Sequence, residues 1–370
     1  MRGEVDGQAD ILVVFDIEAR IPQDHPLRKI KRQVDARLAE LTRRFDLAYS
    51  SEGRPSIPPE RLLKSLLLQA LYSIRSERQL VDQINWNMLF RWFVDLSPDD
   101  RVWDATTFTK NRDRFAERGL VQEFFDGVVR EAVRAGLASS DHFTVDGTLI
   151  QAYASMKSFK RKDGKGNPPM DDDPGNPTVN FRKEKRKNDT HRSTTDPEAR
   201  LMKKGPGKES KLSHGASVLM ENRSGLCVGM AVHSPFPSGE AKAAAKLVER
   251  ARKKLGLQVK TLGADAGYDN GPELEELEGM KVVVHVPVSG KPKDMERPGA
   301  EARERAWKRM KTKGYETSMR IRKRVEEVFG WMKTVGGQGR TRFVGRWRLR
   351  ESLLMTGAAY NLVRMVRCVT

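Results

Sequence analysis

Near residue 140 the hydrophobic period of this 370-residue chain changes, and the change narrows the folds open to it. Between Asp24 and Gly136 apolar residues recur at the spacing that gives an α-helix one buried stripe. The period predicts helices near 24–47, 59–74, 76–85, 104–118 and 120–136. Pro58-Pro59 ahead of Glu60 suits a helix start, because a proline in the first turn gives up no hydrogen bond; Gly136 suits a stop. From residue 141 onward short β-branched runs alternate with helical stretches, an α/β pattern. The expected organisation is a helical N-terminal domain over 1–138 and an α/β domain over 139–370. Ile11-Leu-Val-Val-Phe15 has the composition of a short strand.

Within the α/β part, His142–Gln151 reads as a strand with Asp146 in its middle. Residues 155–211 lack apolar periodicity and are rich in Lys, Asp, Pro and Gly, which predicts a flexible, basic insertion. A hairpin follows over 215–232, turning at Asn222-Arg-Ser-Gly225. An amphipathic helix spans 240–256 and ends at glycine. The next strand ends at Asp265, before a glycine turn and a helix beginning near Pro272. Residues 281–287 form another strand, 289–313 are highly charged, and a last helix covers about 347–367.

Between them lies Arg320–Lys333, which reads as one helix. At about 100° per residue, Arg322 and Lys333 fall on the Glu326 side, at the edge of a stripe of Ile321, Val325, Val328, Phe329 and Met332. Glu327 falls outside, among Arg320, Lys323 and Arg324. A carboxylate held at a buried edge between cations suits a metal ion beside phosphate. Asp146 and Asp265 are its strand-borne counterparts, preferred over Asp269, which lies beyond Gly267 where it would cap the next helix. Three carboxylates make a site for Mg²⁺ or Mn²⁺, and two such ions support phosphodiester transfer.

Charge agrees with a nucleic-acid partner. Lys plus Arg number 68 against 50 acidic residues, a net of +18 and a pI near 9.9. Residues 300–350 alone carry 16 Lys or Arg against 5 Asp or Glu, beside Glu326. Thr106–Arg114 has the make-up of a DNA-reading helix, with Lys110, Arg112 and Arg114 along it; a plain helical packing unit explains the same residues. Cys227 and Cys368 show no ligand spacing, and no apolar run reaches the ~18 residues of a membrane span. A cytoplasmic protein is expected.

In order and spacing these segments resemble the DDE transposases of bacterial insertion sequences. The group is the IS-five-like one, whose third carboxylate lies in a Y-(2)-R-(3)-E-(6)-K signature. Arg322, Glu326 and Lys333 match the last three positions; Met319 stands at the tyrosine position, with Tyr315 one turn earlier. Val-Asp146-Gly-Thr and Ala-Asp265-Ala-Gly-Tyr-Asp match the first two carboxylates. Ile21-Pro-Gln-Asp-His-Pro, Arg54-Pro-Ser-Ile-Pro-Pro and Phe90-Arg-Trp-Phe-Val-Asp resemble the family's helical N-terminal domain. The resemblance covers nearly the whole chain. It implies a ribonuclease-H-like catalytic domain, in which the first and fourth strands are neighbours. It also implies two Mg²⁺ or Mn²⁺ ions on Asp146, Asp265 and Glu326, with Arg322 and Lys333 on DNA phosphates. The implied activity is cleavage at element ends and joining to target DNA. The implied partners are double-stranded terminal repeats and target, bound by a homodimer in the bacterial nucleoid. A metal-dependent nuclease without strand transfer, and an inactive DNA-binding descendant, are the competing functions.

Overall fold

One long helix near the C-terminus, α14 (Arg346–Cys368), joins the two parts of the chain. It packs against four helices of the N-terminal region, against a strand of the sheet, and against the helix that carries Glu326. The computed structural model describes residues 16–50, 52–53, 55–163, 186–203, 205, 207–292 and 294–368. The Ile11–Phe15 segment lies outside the described residues.

The N-terminal region is all helical: α1 (Ile17–Arg20), α2 (Pro26–Glu40), α3 (Thr42–Asp46), α4 (Pro59–Leu71), α5 (Glu77–Trp86), α6 (Met88–Phe93), α7 (Thr106–Glu117) and α8 (Leu120–Arg134). Prolines occupy the first turns of α2 and α4. Ser76 caps α5 by accepting from the Gln79 amide, and Asn87 caps α6 by accepting from Leu89 and Phe90. The helix expected over 24–47 is broken at Leu41, and α6 is a short helix that the periodicity did not predict.

The second part is built on a mixed sheet. Its strands are β1 (His142–Gln151), β4 (Arg200–Lys203), β5 (Ser210–Glu221), β6 (Leu226–His233), β7 (Thr261–Gly263) and β8 (Val283–His285), while β2 (Phe159–Arg161) and β3 (His191–Ser193) form a separate pair. β1 and β5 are antiparallel from Phe143 opposite Glu221 to Gln151 opposite Ser213. β4 and β6 follow each other along the far edge of β5, both antiparallel to it. On its other side β1 runs parallel to β7, and β7 parallel to β8. Around the sheet lie α9 (Pro237–Leu255), α10 (Gly271–Gly279), α11 (Ala300–Arg309), α12 (Lys313–Arg322) and α13 (Val325–Thr334).

A continuous apolar core runs through both parts. Phe124, Phe125, Val128 and Val129 of α8, Leu219 and Met230 of the sheet, and Leu354, Met355 and Ala358 of α14 all belong to it. Gly357 lets α14 come this close: a Cβ there would lie 2.7 Å from Met230 Sδ and 3.0 Å from Phe125 Cε2. Asp126 of α8 adds a buried ion pair with Arg250 of α9.

Two expectations are corrected. Much of 155–211 is built rather than loose. Phe159, Ala152, Ala154, Ala199 and Leu212 form a satellite core. His191 stacks on Phe159 with centroids 5.5 Å apart, Asp196 pairs with His214 at 2.9 Å with both fully buried, and Glu198 pairs with Arg346. Polar pairing, invisible to an apolar-period test, holds this stretch; residues 164–185 lie outside the described residues. The stretch 320–333 is likewise two helices. α12 ends at Arg322 and α13 begins at Val325, joined by a tighter turn in which the Glu326 amide bonds the Lys323 carbonyl and the Glu327 amide the Arg324 carbonyl.

Candidate active site

β1 pairs with β7 through Thr144 opposite Gly263. Two residues further on lie Asp146, within β1, and Asp265, just past the end of β7, so the register carries both carboxylates to the same end of the sheet. Asp146 Oδ1 accepts from the next amide, Gly147, at 2.8 Å. Asp265 starts a 3-10 turn over Ala266–Tyr268 and accepts from the Gly267 amide at 2.9 Å.

α12 is docked onto the strands by Ser318. Its hydroxyl lies 2.7 Å from His142 Nε2 on β1 and 2.6 Å from His285 Nδ1 on β8. Four residues on, and so on the same helix face, Arg322 reaches Asp146: Nη1 donates to Oδ2 at 2.8 Å. Along the next helix, Lys333 donates to the Thr148 hydroxyl. Asp146 and Thr148 share one face of β1, so the two cations meet the same strand face.

Glu326 stands in the first turn of α13, exposed. Its charge acts on Asp146. Burial raises the Asp146 carboxyl above the usual carboxylate range; Asp265 and Glu326 push it further, against the Gly147 amide and Arg322. The neighbouring acids are engaged elsewhere. Glu327 pairs with Arg364 of α14 at 3.0 Å, and Asp269 is gripped by Arg303 at 2.7 and 2.8 Å. The structure therefore brings the charges of Asp265 and Glu326 to bear on Asp146 and ties up Glu327 and Asp269.

Sequence reasoning missed Glu240, in the first turn of α9. Burial raises its carboxyl, and the charges of Asp265 and Asp146 raise it further. The Tyr268 hydroxyl donates to its Oε1 at 3.3 Å. Tyr268 is buried, and its hydroxyl is pushed well up by that burial and by Glu240. Behind it, Ser217 lies 2.8 Å from His233 Nε2. Nothing in the local pattern of 237–256 marked Glu240, because its neighbours come from β1 and the turn after β7.

The expected DNA-reading trio on α7 is not presented as a set. Arg112 turns inward, pairing with Glu77 at 2.6 Å and packing over Phe343 at 4.5 Å from the ring centre. Arg114 lies over Tyr49 and donates to Asn111 at 2.8 Å. Lys110 is exposed. The reason is packing: α7 buries Phe108, Asn111 and Phe115 against α8 and α14, which carries Arg112 toward the interior. A cavity of about 260 Å³ lies here, lined among others by Gln69, Phe108, Arg112, Arg342, Phe343 and Glu351; no carboxylate of the sheet site borders it.

Among the described residues, no helix is long and apolar enough to cross a membrane, and no three His, Cys, Asp or Glu are already arranged as a metal-binding cluster.

Comparison with known proteins adds family membership. No curated protein matches the chain. Among solved structures, a piggyBac transposase synaptic complex with hairpin DNA is similar at 11% identity, covering 94% of this chain and 80% of that one, with a TM-score of 0.30. A Mos1 transposase paired-end complex with left transposon end is similar at 10% identity, covering 83% and 90%, with a TM-score of 0.21. A family model described as a Transposase domain (DUF772) matches residues 15–114. A second, described as Transposase DDE domain, matches residues 141–362, well over half of the chain, with Asp146, Asp265 and Glu326 among them. The chain therefore belongs to the DDE transposase family and is an enzyme of that kind.

Proposed function

We propose that this enzyme cuts DNA at the ends of a bacterial insertion sequence and joins those ends to target DNA, with Asp146, Asp265 and Glu326 as the cation-holding set. The observation that carries the reading is that Asp146 on β1 and Asp265 just past β7 lie at the same end of the sheet, with the charges of Asp265 and Glu326 both acting on Asp146, in a chain of the DDE family. The strand order β6-β5-β1-β7-β8, with the first three strands antiparallel and the last two parallel to β1, supports a ribonuclease-H-like sheet.

The donor set fits a hard divalent ion. It consists of carboxylate oxygens, and their mutual repulsion, visible at Asp146, is what such an ion would relieve. Mg²⁺ or Mn²⁺, as a pair, would supply charge stabilisation for displacement at phosphorus. The protein's own groups do the rest. Arg322 holds Asp146 in place and neutralises part of the cluster before DNA arrives. On assembly its planar fork would pass to a phosphate next to the cut, where two parallel hydrogen bonds fix orientation. Lys333, beside Thr148, would hold a second phosphate along the same strand face.

The helical region is assigned to end recognition and to assembly of a dimer on paired ends. Lys110 is the member of its trio placed to meet phosphate, whereas Arg112 and Arg114 support the helix from within. The test is Mg²⁺-dependent cleavage and joining of an end-containing duplex by the full chain. Asp146→Asn, Asp265→Asn and Glu326→Gln should each abolish both reactions and retain end binding. Cleavage that persists in all three variants would sink the assignment; cleavage without joining in the native enzyme would favour a plain nuclease.

A further inference from the structure

Gly147 and Glu240 occupy a single space. A Cβ built on Gly147 would lie 1.7 Å from Glu240 Oε1, 2.5 Å from its Cδ and 3.3 Å from its Cγ. Gly147 follows Asp146 and, by strand alternation, faces the opposite side of β1. The missing side chain is therefore the opening through which the first turn of α9 brings a carboxylate up to the backbone beside Asp146. The same Oε1 accepts from the Tyr268 hydroxyl, three residues after Asp265. Glu240 thus touches the segments that carry both strand-borne acids. Among the described residues no cation is recorded as pairing with it, in a molecule where most half-buried acids have an Arg or Lys partner. Holding an unneutralised carboxylate against two others opposes folding unless something positive shares the space.

We propose that Glu240 is a fourth carboxylate of the cation site. The proposal rests on the assignment of Asp146, Asp265 and Glu326 to divalent ions. It adds that Glu240 supplies negative charge to the same ions from the α9 side, and that Gly147 exists to admit it. Tyr268 orients the carboxylate without being essential to its charge.

The experiment is Mn²⁺ binding to the full chain without DNA, by calorimetry and by the electron paramagnetic resonance of free Mn²⁺. Melting temperatures in chelator serve as the check on folding. Glu240→Gln keeps the shape and the acceptor for Tyr268 but loses the charge; it should weaken Mn²⁺ binding by ~10- to 100-fold, the range seen when groups supporting a metal are removed. Gly147→Ala should do the same by displacing the carboxylate, and combining the two should add little, because both remove one interaction. Tyr268→Phe removes one hydrogen bond and no charge, and should cost about fivefold or less. Asp146→Asn is the control. If Asp146→Asn loses Mn²⁺ while Glu240→Gln binds normally, the fourth-carboxylate role is overturned and the three-carboxylate site stands. If Tyr268→Phe matches Glu240→Gln, Glu240 acts only through the tyrosine and the proposal fails. If Asp146→Asn itself binds normally, the underlying site assignment falls as well. Should Glu240→Gln melt early, Gly147→Ala decides alone, since the atoms nearest its added methyl are the end of a flexible side chain.

Discussion

Arg322 Nη1 sits 2.8 Å from Asp146 Oδ2, so the carboxylate of β1 is held by the arginine that ends α12, the element leading into the Glu326 helix. One contact couples strand β1 to the α12–α13 turn. On the proposed assignment of Asp146 to the cation site, guanidinium and metal ion would compete for the same oxygen.

That competition is measurable. Arg322→Ala should bind Mn²⁺ more tightly in the absence of DNA, by up to about tenfold, the worth of a partly exposed ion pair. The same variant should lose strand transfer by ~100-fold or more, because the phosphate contact goes with it. Arg322→Lys should lose most of the transfer too, since an ammonium cannot make two parallel bonds. Unchanged metal affinity together with native transfer in Arg322→Ala would leave the residue a simple strut.

Glu326 and Glu327 are adjacent but face different partners. Glu326→Gln should remove cleavage and leave urea stability unchanged. Glu327→Gln should keep cleavage and cost under about 1 kcal/mol, as expected for a half-exposed pair with Arg364. The reverse pattern in a cleavage assay would show that the acids had been exchanged.

His285 should make stability pH-sensitive. Burial, with the charges of His142 and Arg309, lowers its pKa from 6.5 to about 4, and burial lowers His142 as well. Between these values the unfolded chain binds the proton and the folded one does not. The stabilisation is thus complete above about pH 6.5 and is lost as pH falls toward 4. Melting curves from pH 7 to pH 4.5 should fall less steeply for His285→Gln than for the native chain; parallel curves would exclude the histidine as a contributor.

Lys110 and Arg112 should separate cleanly. Lys110→Ala should reduce the salt slope of end binding by about one unit without changing the melting temperature. Arg112→Ala should destabilise by about 0.5–3 kcal/mol, because its packing over Phe343 and its pair with half-buried Glu77 are lost while Arg342 stays near that acid. A salt-slope change of one unit and a native melting temperature for Arg112→Ala would restore it to the DNA surface.

α14 should control the whole chain's stability. Leu354→Ala should cost about 2–5 kcal/mol by urea denaturation. Gly357→Ala should also destabilise, by about 1–3 kcal/mol, although alanine is the better helix former, because its methyl meets Met230 and Phe125. A stabilised Gly357→Ala would show that the contact between α14, β6 and α8 is looser than described.

What the sequence alone determined is whatever each segment's own period and ends dictate. Helical spacing up to Gly136, the strand around Asp146, the hairpin turning at Gly225 and the helix stop at Gly256 all follow from local chemistry, and the structure contains each of them. The same local reading failed where a stretch is held by polar pairs, as at Asp196 with His214, or where a helix tightens without a proline or glycine, as at Lys323-Arg324. Partners are a different matter. That Arg322 meets Asp146, that Arg112 turns inward to Glu77, and that Glu240 fills the gap at Gly147 depend on strand order and helix docking across tens to hundreds of residues. Periodicity reports which face of an element is buried. Only the packed sheet and helices decide which other side chain waits on that face, because the energy of such a contact comes from two segments that neither segment's sequence brings together.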